Sequence, residues 1–302
     1  MGRFEFLKAF CIAICAALWV GEAAACPPVD IAIANAGFED DPVSPGCFEV
    51  MPLDDWLEFD PNGVLDGGLN SVGGINLPLG SVFFPGGAPE REHAALVFLF
   101  TSTGMGPAGL RQELSATLQP NTTYTLSAQV GNIATGIGPP PCDVFGEFDI
   151  DGFPGYQVQL LAGGEIIAVD DNGLAGALGE GEFELSTCEA IIGPSHDQLG
   201  QNLEIRLINL NEAETPENPG IEVDFDDVRL TSRSNAPPAL GDLDCDGDRD
   251  LEDYGLFERC LAGPNQPPAT LCGDGVDADL DDDNDVDLAD FVLIATSIAD
   301  SP

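Results

Sequence analysis

The sequence predicts a mainly β protein: a jelly-roll β-sandwich followed by a small α-helical module built on two similar acidic loops. Three observations carry this. Short segments with alternating apolar residues, separated by Gly- and Pro-rich turns, fill the chain from about residue 31 to residue 230. No stretch of that region sustains a helical period. The last part of the chain instead repeats a dense Asp pattern, each copy running into an amphipathic segment.

In chain order, residues 1–25 read as an export leader. Arg3 and Lys8 form a basic start, Ala9 to Val20 is apolar and uncharged, and Ala23-Ala24-Ala25 offers a small-residue cleavage site before Cys26. The apolar run is shorter than the roughly 20 residues a spanning helix needs. The expected location is therefore secreted, extracellular or at the cell surface, with no membrane span. Beyond the leader, Cys26, Cys47, Cys142, Cys188, Cys245, Cys260 and Cys272 remain, an odd number, so at least one is not in an intramolecular disulfide. Cys260 and Cys272 flank the segment between the acidic loops and are the candidate disulfide pair. Zinc is not expected, since no CxxC pair is present and His93 and His196 stand apart.

Residues 26–231 carry the sandwich. Leu96, Phe98 and Phe100 alternate with other residues, as do Tyr124, Leu126, Ala128 and Val130. Tyr156, Val158 and Leu160, then Leu203, Ile205 and Leu207, then Val223 and Phe225 do the same. A period of two puts each set on one face of a strand. Gly163-Gly164 between two such runs marks a two-residue hairpin. Residues 232–240, polar and then Pro-Pro, read as a linker.

Residues 241–302 hold one motif twice. Asp242, Asp244, Asp246, Asp250 and Asp253 recur as Asp279, Asp281, Asp283, Asp287 and Asp290, at positions 1, 3, 5, 9 and 12 of a twelve-residue loop. Asp248 and Asp285 occupy position 7, which supplies a backbone carbonyl. This is the spacing at which a tight turn converges six to eight hard oxygens on a calcium ion. Position 6 needs a sharp turn, and Gly247 and Asn284 suit it. Tyr254, Phe257 and Leu261 follow the first loop, and Phe291, Ile294 and Ile298 the second, at helical spacing. The expected cofactor is Ca2+.

The formal net charge is −44, from 9 basic and 53 acidic residues. That excludes nucleic acid and anionic membrane surfaces as main partners, which need clustered Lys and Arg.

The paired loops resemble the type I dockerin family from Gly241 to about Ala299. They depart from it at positions 10 and 11, where Leu251-Glu252 and Leu288-Ala289 replace the common Ser/Thr pair. That resemblance implies a cohesin-like partner. The segment Asn35-Ala36-Gly37-Phe38-Glu39, with Val223-Asp-Phe-Asp-Asp227-Val-Arg-Leu230 at the far end, resembles the galactose-binding-like jelly rolls that include carbohydrate-binding modules. It implies adjacent first and last strands and a structural calcium held by Glu39 and Asp227, with Asp226 as the alternative. It also implies a polysaccharide or cell-surface glycan as ligand. Trp56, among acids, is the candidate sugar-stacking residue, with a core role as the competing reading. Nothing singles out a catalytic pair; Ser195-His196-Asp197 are adjacent in sequence, which does not make a triad. The expectation is a non-catalytic, calcium-binding, glycan-recognising protein. A surface-structural or adhesive protein and a glycoside hydrolase are the alternatives.

Overall fold

The computed structural model describes residues 26–100, 105–147, 150–212, 221–235, 239–245, 249–273 and 276–299. The expected leader, and Asp246, Gly247 and Asp248 of the first loop, lie outside them. The described chain falls into two units, Cys26–Ala236 and the segment from Pro237 onward.

The first unit is a sandwich of two antiparallel sheets. In chain order its strands are β1 (Val29–Ile31), β2 (Phe48–Val50), β3 (Leu57–Phe59), β4 (Asn70–Asn76), β5 (His93–Leu99) and β6 (Ala108–Thr117). Then come β7 (Thr122–Asn132), β8 (Tyr156–Ala162), β9 (Glu165–Asp171), β10 (Glu182–Ile191), β11 (Asn202–Asn209) and β12 (Glu222–Ser234). A seven-stranded sheet runs β10-β7-β12-β5-β4-β2, with β1 also on β12; the five-stranded sheet runs β3-β6-β11-β8-β9. First and last strands pair, Val29 to Ile31 against Ser232 to Leu230, as the sandwich resemblance implied. Gly163 and Gly164 turn β8 into β9 with φ of 56° and 84°, left-handed at both positions as a type I′ hairpin requires.

Between the sheets, Tyr124, Leu126, Ala128 and Val130 of β7 meet Tyr156, Val158 and Leu160 of β8 and Leu203, Ile205 and Leu207 of β11. Val223 and Phe225 of β12 join them. Trp56 belongs to this core. It is 3% exposed, its ring lies 5.4 Å from that of Phe38, and its Nε1 donates to the Asn35 carbonyl. It cannot offer a stacking face to a sugar. The alternation in β5 reads the other way round from the expectation. Ala95, Val97 and Leu99 enter the core, whereas Leu96 and Phe98 face a second apolar cluster on the opposite side of the sheet.

The second unit has two helices, α1 (Leu251–Cys260) and α2 (Leu288–Ala299). Asp250 caps α1 and forms a reciprocal capping box with Asp253. Phe257, Cys260 and Ile294 pack with Leu243, Ala278 and Val286 in a small core of their own. Tyr254 and Leu261, expected on the buried stripe, are partly exposed; Cys260 takes that place and is bonded to Cys272. Among the described residues no helix is long and apolar enough to cross a membrane.

Candidate active site

The seven-stranded sheet carries an apolar cluster on its outer face as well as its inner one, and the outer face bears a cavity. From β5 come Leu96 and Phe98, and from β2 come Phe48, Glu49 and Val50. The β12 strand alternates: Val223 and Phe225 point into the sandwich, so Glu222, Asp224 and Asp226 point out. Register fixes their neighbours. Glu222 stands opposite Phe98, and Asp224 opposite Leu96 on one side and Gly131 on the other. Gly131 in turn stands opposite Phe183 of β10. A Cβ at Gly131 would lie 2.6 Å from the Phe183 ring and 3.0 Å from the Asp224 Cβ, so glycine is what lets that ring lie beside Asp224.

Loops roof this face. Phe83 and Phe84 come from the segment after β4, and Ile133, Pro141, Cys142, Val144 and Ile150 from the segment after β7. The roof is tied down by the Cys47–Cys142 disulfide, by Ala134 N donating to the Phe83 carbonyl, and by Thr135 Oγ1 donating to Asp151. The pocket, open to solvent on one side, measures about 590 Å³, and among the described residues no Lys, Arg or His lines it.

Glu222 reaches this pocket from its wall and is 6% exposed. Asp224 is wholly buried, no donor group of the described residues reaches its oxygens, and the side chain set against them is the carboxyl of Glu222. Burial raises the proton affinity of both carboxyls well above the usual range, and for Asp224 the charge of Glu222 adds to it. Asp226, next outward on the strand, is pushed up to about 8 mainly by burial; its oxygens accept from the backbone N–H groups of Glu90 and Asp227. An apolar cavity holding a protonated carboxyl suits proton donation to an apolar substrate.

The other sequence candidates are placed elsewhere. Despite partial burial, hydrogen bonds from the His93 ring and from the His93 and Glu92 backbone hold the Glu39 carboxyl below its ordinary range. Asp227 sits at a bulge with φ 46° and accepts from Arg229 Nε. Glu39 and Asp227 thus each carry hydrogen bonds from a neighbouring strand segment or side chain. His196 Nδ1 accepts from the Gln198 backbone within a turn. Among the described residues, the groups of three acids within ligand distance all lie in the second unit: Asp242, Asp244 and Asp253; Asp279, Asp281 and Asp283; Asp285, Asp287 and Asp290. The two loops are built alike. Asp253 accepts from the N–H groups of Leu243, Asp244 and Asp250; Asp290 accepts from those of Leu280, Asp281 and Asp287. Asn284 has the left-handed φ expected of position 6, 72°.

The pocket-bearing unit is also what known proteins share with this chain. The model of the HpiC1-like family, described as HpiC1 cyclase, matches residues 29–231. The chain belongs to the HpiC1-like cyclase family. The Stig cyclase Fisc from Fischerella sp. TAU, solved in complex with (3Z)-3-(1-methyl-2-pyrrolidinylidene)-3H-indole, is 36% identical with a TM-score of 0.61. That match covers 70% of this chain and 100% of Fisc. A cyclase from Fischerella sp. TAU in complex with 4-(1H-indol-3-yl)butan-2-one is also 36% identical with a TM-score of 0.59, covering 69% of this chain and 99% of that one. No curated protein matches.

Membership in a cyclase family overturns the dockerin and carbohydrate-binding assignments, and with them the non-catalytic glycan-recognition role and the cohesin-like, polysaccharide and glycan partners. The physical reason lies in the sandwich. The motifs that suggested a sugar-binding module encode the pairing of first and last strands, which unrelated functions share. The expected stacking residue is in the core, and the cavity offers apolar walls with buried carboxyls.

Glu222 and Asp224 were missed because acids alternating on a strand usually form a solvated face. A signal was present. The run Ala94 to Phe100 is apolar at both parities, which marks a strand buried on both sides. Any strand beside it must then bury its polar face too.

Proposed function

We propose that this chain is a cyclase that takes an apolar, indole-bearing substrate into the pocket and uses Glu222 as the proton donor for ring closure. The observation that carries this is a carboxyl kept neutral by burial in the wall of an apolar cavity that, among the described residues, no cationic side chain lines. Its volume falls within the range of about 300–1,000 Å³ typical of small-molecule sites. Protonation leaves a cationic substrate, and the faces of Phe48, Phe83 and Phe98 are the groups that attract it. Among the described residues, the apolar lining offers no polar side chain other than Ser44, Glu49 and Glu222 to hold water beside such a cation. Each of the two Fischerella cyclases above was solved with an indole compound bound.

The test is binding of 4-(1H-indol-3-yl)butan-2-one to the intact protein, followed by calorimetry. Saturable binding is expected, abolished by Leu96→Trp, which fills the floor of the pocket. Absence of saturable binding, or undiminished binding by Leu96→Trp, would remove the pocket from the proposal.

For the second unit we infer calcium binding by the two loops: Asp242, Asp244, Asp246, Asp248, Asp250 and Asp253 in one, Asp279, Asp281, Asp283, Asp285, Asp287 and Asp290 in the other. The donors are hard oxygens at the spacing calcium favours. Asp285 Oδ1 is buried with no partner, which supports a ligand at the second loop. Close carboxylates repel without a cation, so the helices depend on it. Adding excess chelator to the intact protein is expected to reduce its helical circular dichroism, and added calcium to restore it. An unchanged spectrum and no heat of calcium binding would refute this.

A further inference from the structure

We propose that Glu222 and Asp224 work as one two-carboxyl unit, in which Glu222 exchanges the proton with substrate and Asp224 behind it is the positioning residue that keeps that proton on the pair. The proposal rests on the cyclase reading of the same pocket and deepens it.

The geometry leads there in three steps. First, residues two apart on a strand share a face and lie about 7 Å apart along the backbone, within reach of each other's side chains. Second, only Glu222 lines the pocket. Asp224 lies on the same face beside Leu96 and the Phe183 ring, has no exposed surface and reaches the substrate only through its neighbour. Third, nothing among the described residues neutralises the pair. The β5 strand presents Leu96 and Phe98, β7 presents Gly131 and Gln129, and β10 presents Phe183. The roof presents Phe83, Ile133, Pro141, Cys142, Val144 and Ile150. The ionisable groups nearby are Glu49 across the pocket and Asp226 next along β12, both acids. Two carboxylates without a counter-ion in such a place cannot both be charged, so a proton stays with them.

That arrangement closes the proton balance of a ring closure. The Glu222 O–H proton passes to the substrate, and the electron pair of the O–H bond stays on the carboxylate. A C–C bond forms from the indole carbon to the cationic centre. The C–H bond at the attacking carbon then breaks to restore the ring, and its proton returns to Glu222. No oxidant, reductant or net proton is consumed. Between the two transfers the pair bears added negative charge beside the substrate cation, where low dielectric makes their attraction strong.

The experiment is a pH titration of the intact protein labelled with ¹³C at its Asp and Glu side-chain carboxyls, for wild type, Asp224→Asn and Glu222→Gln. In wild type the Glu222 resonance is expected to titrate well above the ordinary carboxylate range. Asp224→Asn is expected to lower that midpoint by about one pH unit or more. Glu222→Gln should lower the Asp224 midpoint comparably, since coupling is reciprocal. An unchanged midpoint in either variant overturns the proposal. No substrate is needed, so the result is independent of whether the chain cyclises an indole. With a turned-over substrate, Asp224→Asn is expected to move the alkaline limb of the pH–rate profile to lower pH; an even loss at every pH would mean a merely structural role and would also overturn it.

Discussion

Glu222→Gln is expected to slow ring closure by about 10²–10⁴-fold, the usual contribution of a positioned general acid. Glutamine keeps the length and polarity of the side chain but has no proton to give at neutral pH. Because substrate contacts with Leu96, Phe98 and the roof remain, the loss should fall on kcat, with KM changed little. The same variant is expected to be more stable than wild type at neutral and alkaline pH. The sign follows from the proton count. The folded-state affinity of Glu222 is raised, so the native chain holds a proton that the unfolded chain has released. Stability from that proton is complete below the ordinary glutamate pKa and is lost as pH rises toward the raised one. The amide does not ionise and escapes this loss. A rate loss with a gain in thermal midpoint above pH 7 supports the assignment; equal losses in both would mean that Glu222 only holds the fold. Asp226, raised to about 8 by burial, adds to the same downward slope of stability with pH in both proteins and cancels in the comparison.

This opposition between stability and activity also explains how much of the molecule was legible in its sequence. Strands were legible because alternation and packing agree. Tyr124 to Val130 and Leu203 to Leu207 point where their period says, and the Gly163-Gly164 turn needs the positive φ that glycine supplies. The acidic loops were legible because their spacing is local, and Asp253 and Asp290 show it in matching hydrogen bonds. The pocket was not legible because it depends on facts no local window contains. Leu96 and Phe98 look like any strand's apolar face until roof segments from before residue 93 and after residue 132 cover them. Glu222 and Asp224 look solvated until β5 and β7 flank them. Glu39 and Asp227 were legible only as members of related motifs; that His93 and Arg229 lie against them is a long-range or strand-register fact the motifs do not contain. A rule of burial is broken on β12 at the wall of the pocket, the kind of place where perturbed acids gather in functional sites.

Removing the Cys47–Cys142 disulfide is expected to loosen both the fold and the pocket. The bond spans 95 residues, from the chain before β2 to the short 3-10 turn Cys142–Phe145 that roofs the cavity. A loop of that length gives a chain-entropy contribution toward the upper end of the usual range of about 2–4 kcal/mol. The double variant Cys47→Ala/Cys142→Ala should therefore lower the thermal midpoint by about 5–15 °C, measured by calorimetry. Stability alone would not separate this bond from any other. The Cys260–Cys272 bond closes a span of 12 residues in the other unit, so Cys260→Ala/Cys272→Ala supplies the contrast. Cys142 lines the cavity with its neighbours Pro141 and Val144, and so the first double variant is also expected to weaken binding of 4-(1H-indol-3-yl)butan-2-one at temperatures where both variants remain folded. The second should bind as wild type does. Equal binding by the two variants would mean that the roof is held by its hydrogen bonds to Phe83 and Asp151, and that the disulfide contributes stability without shaping the site.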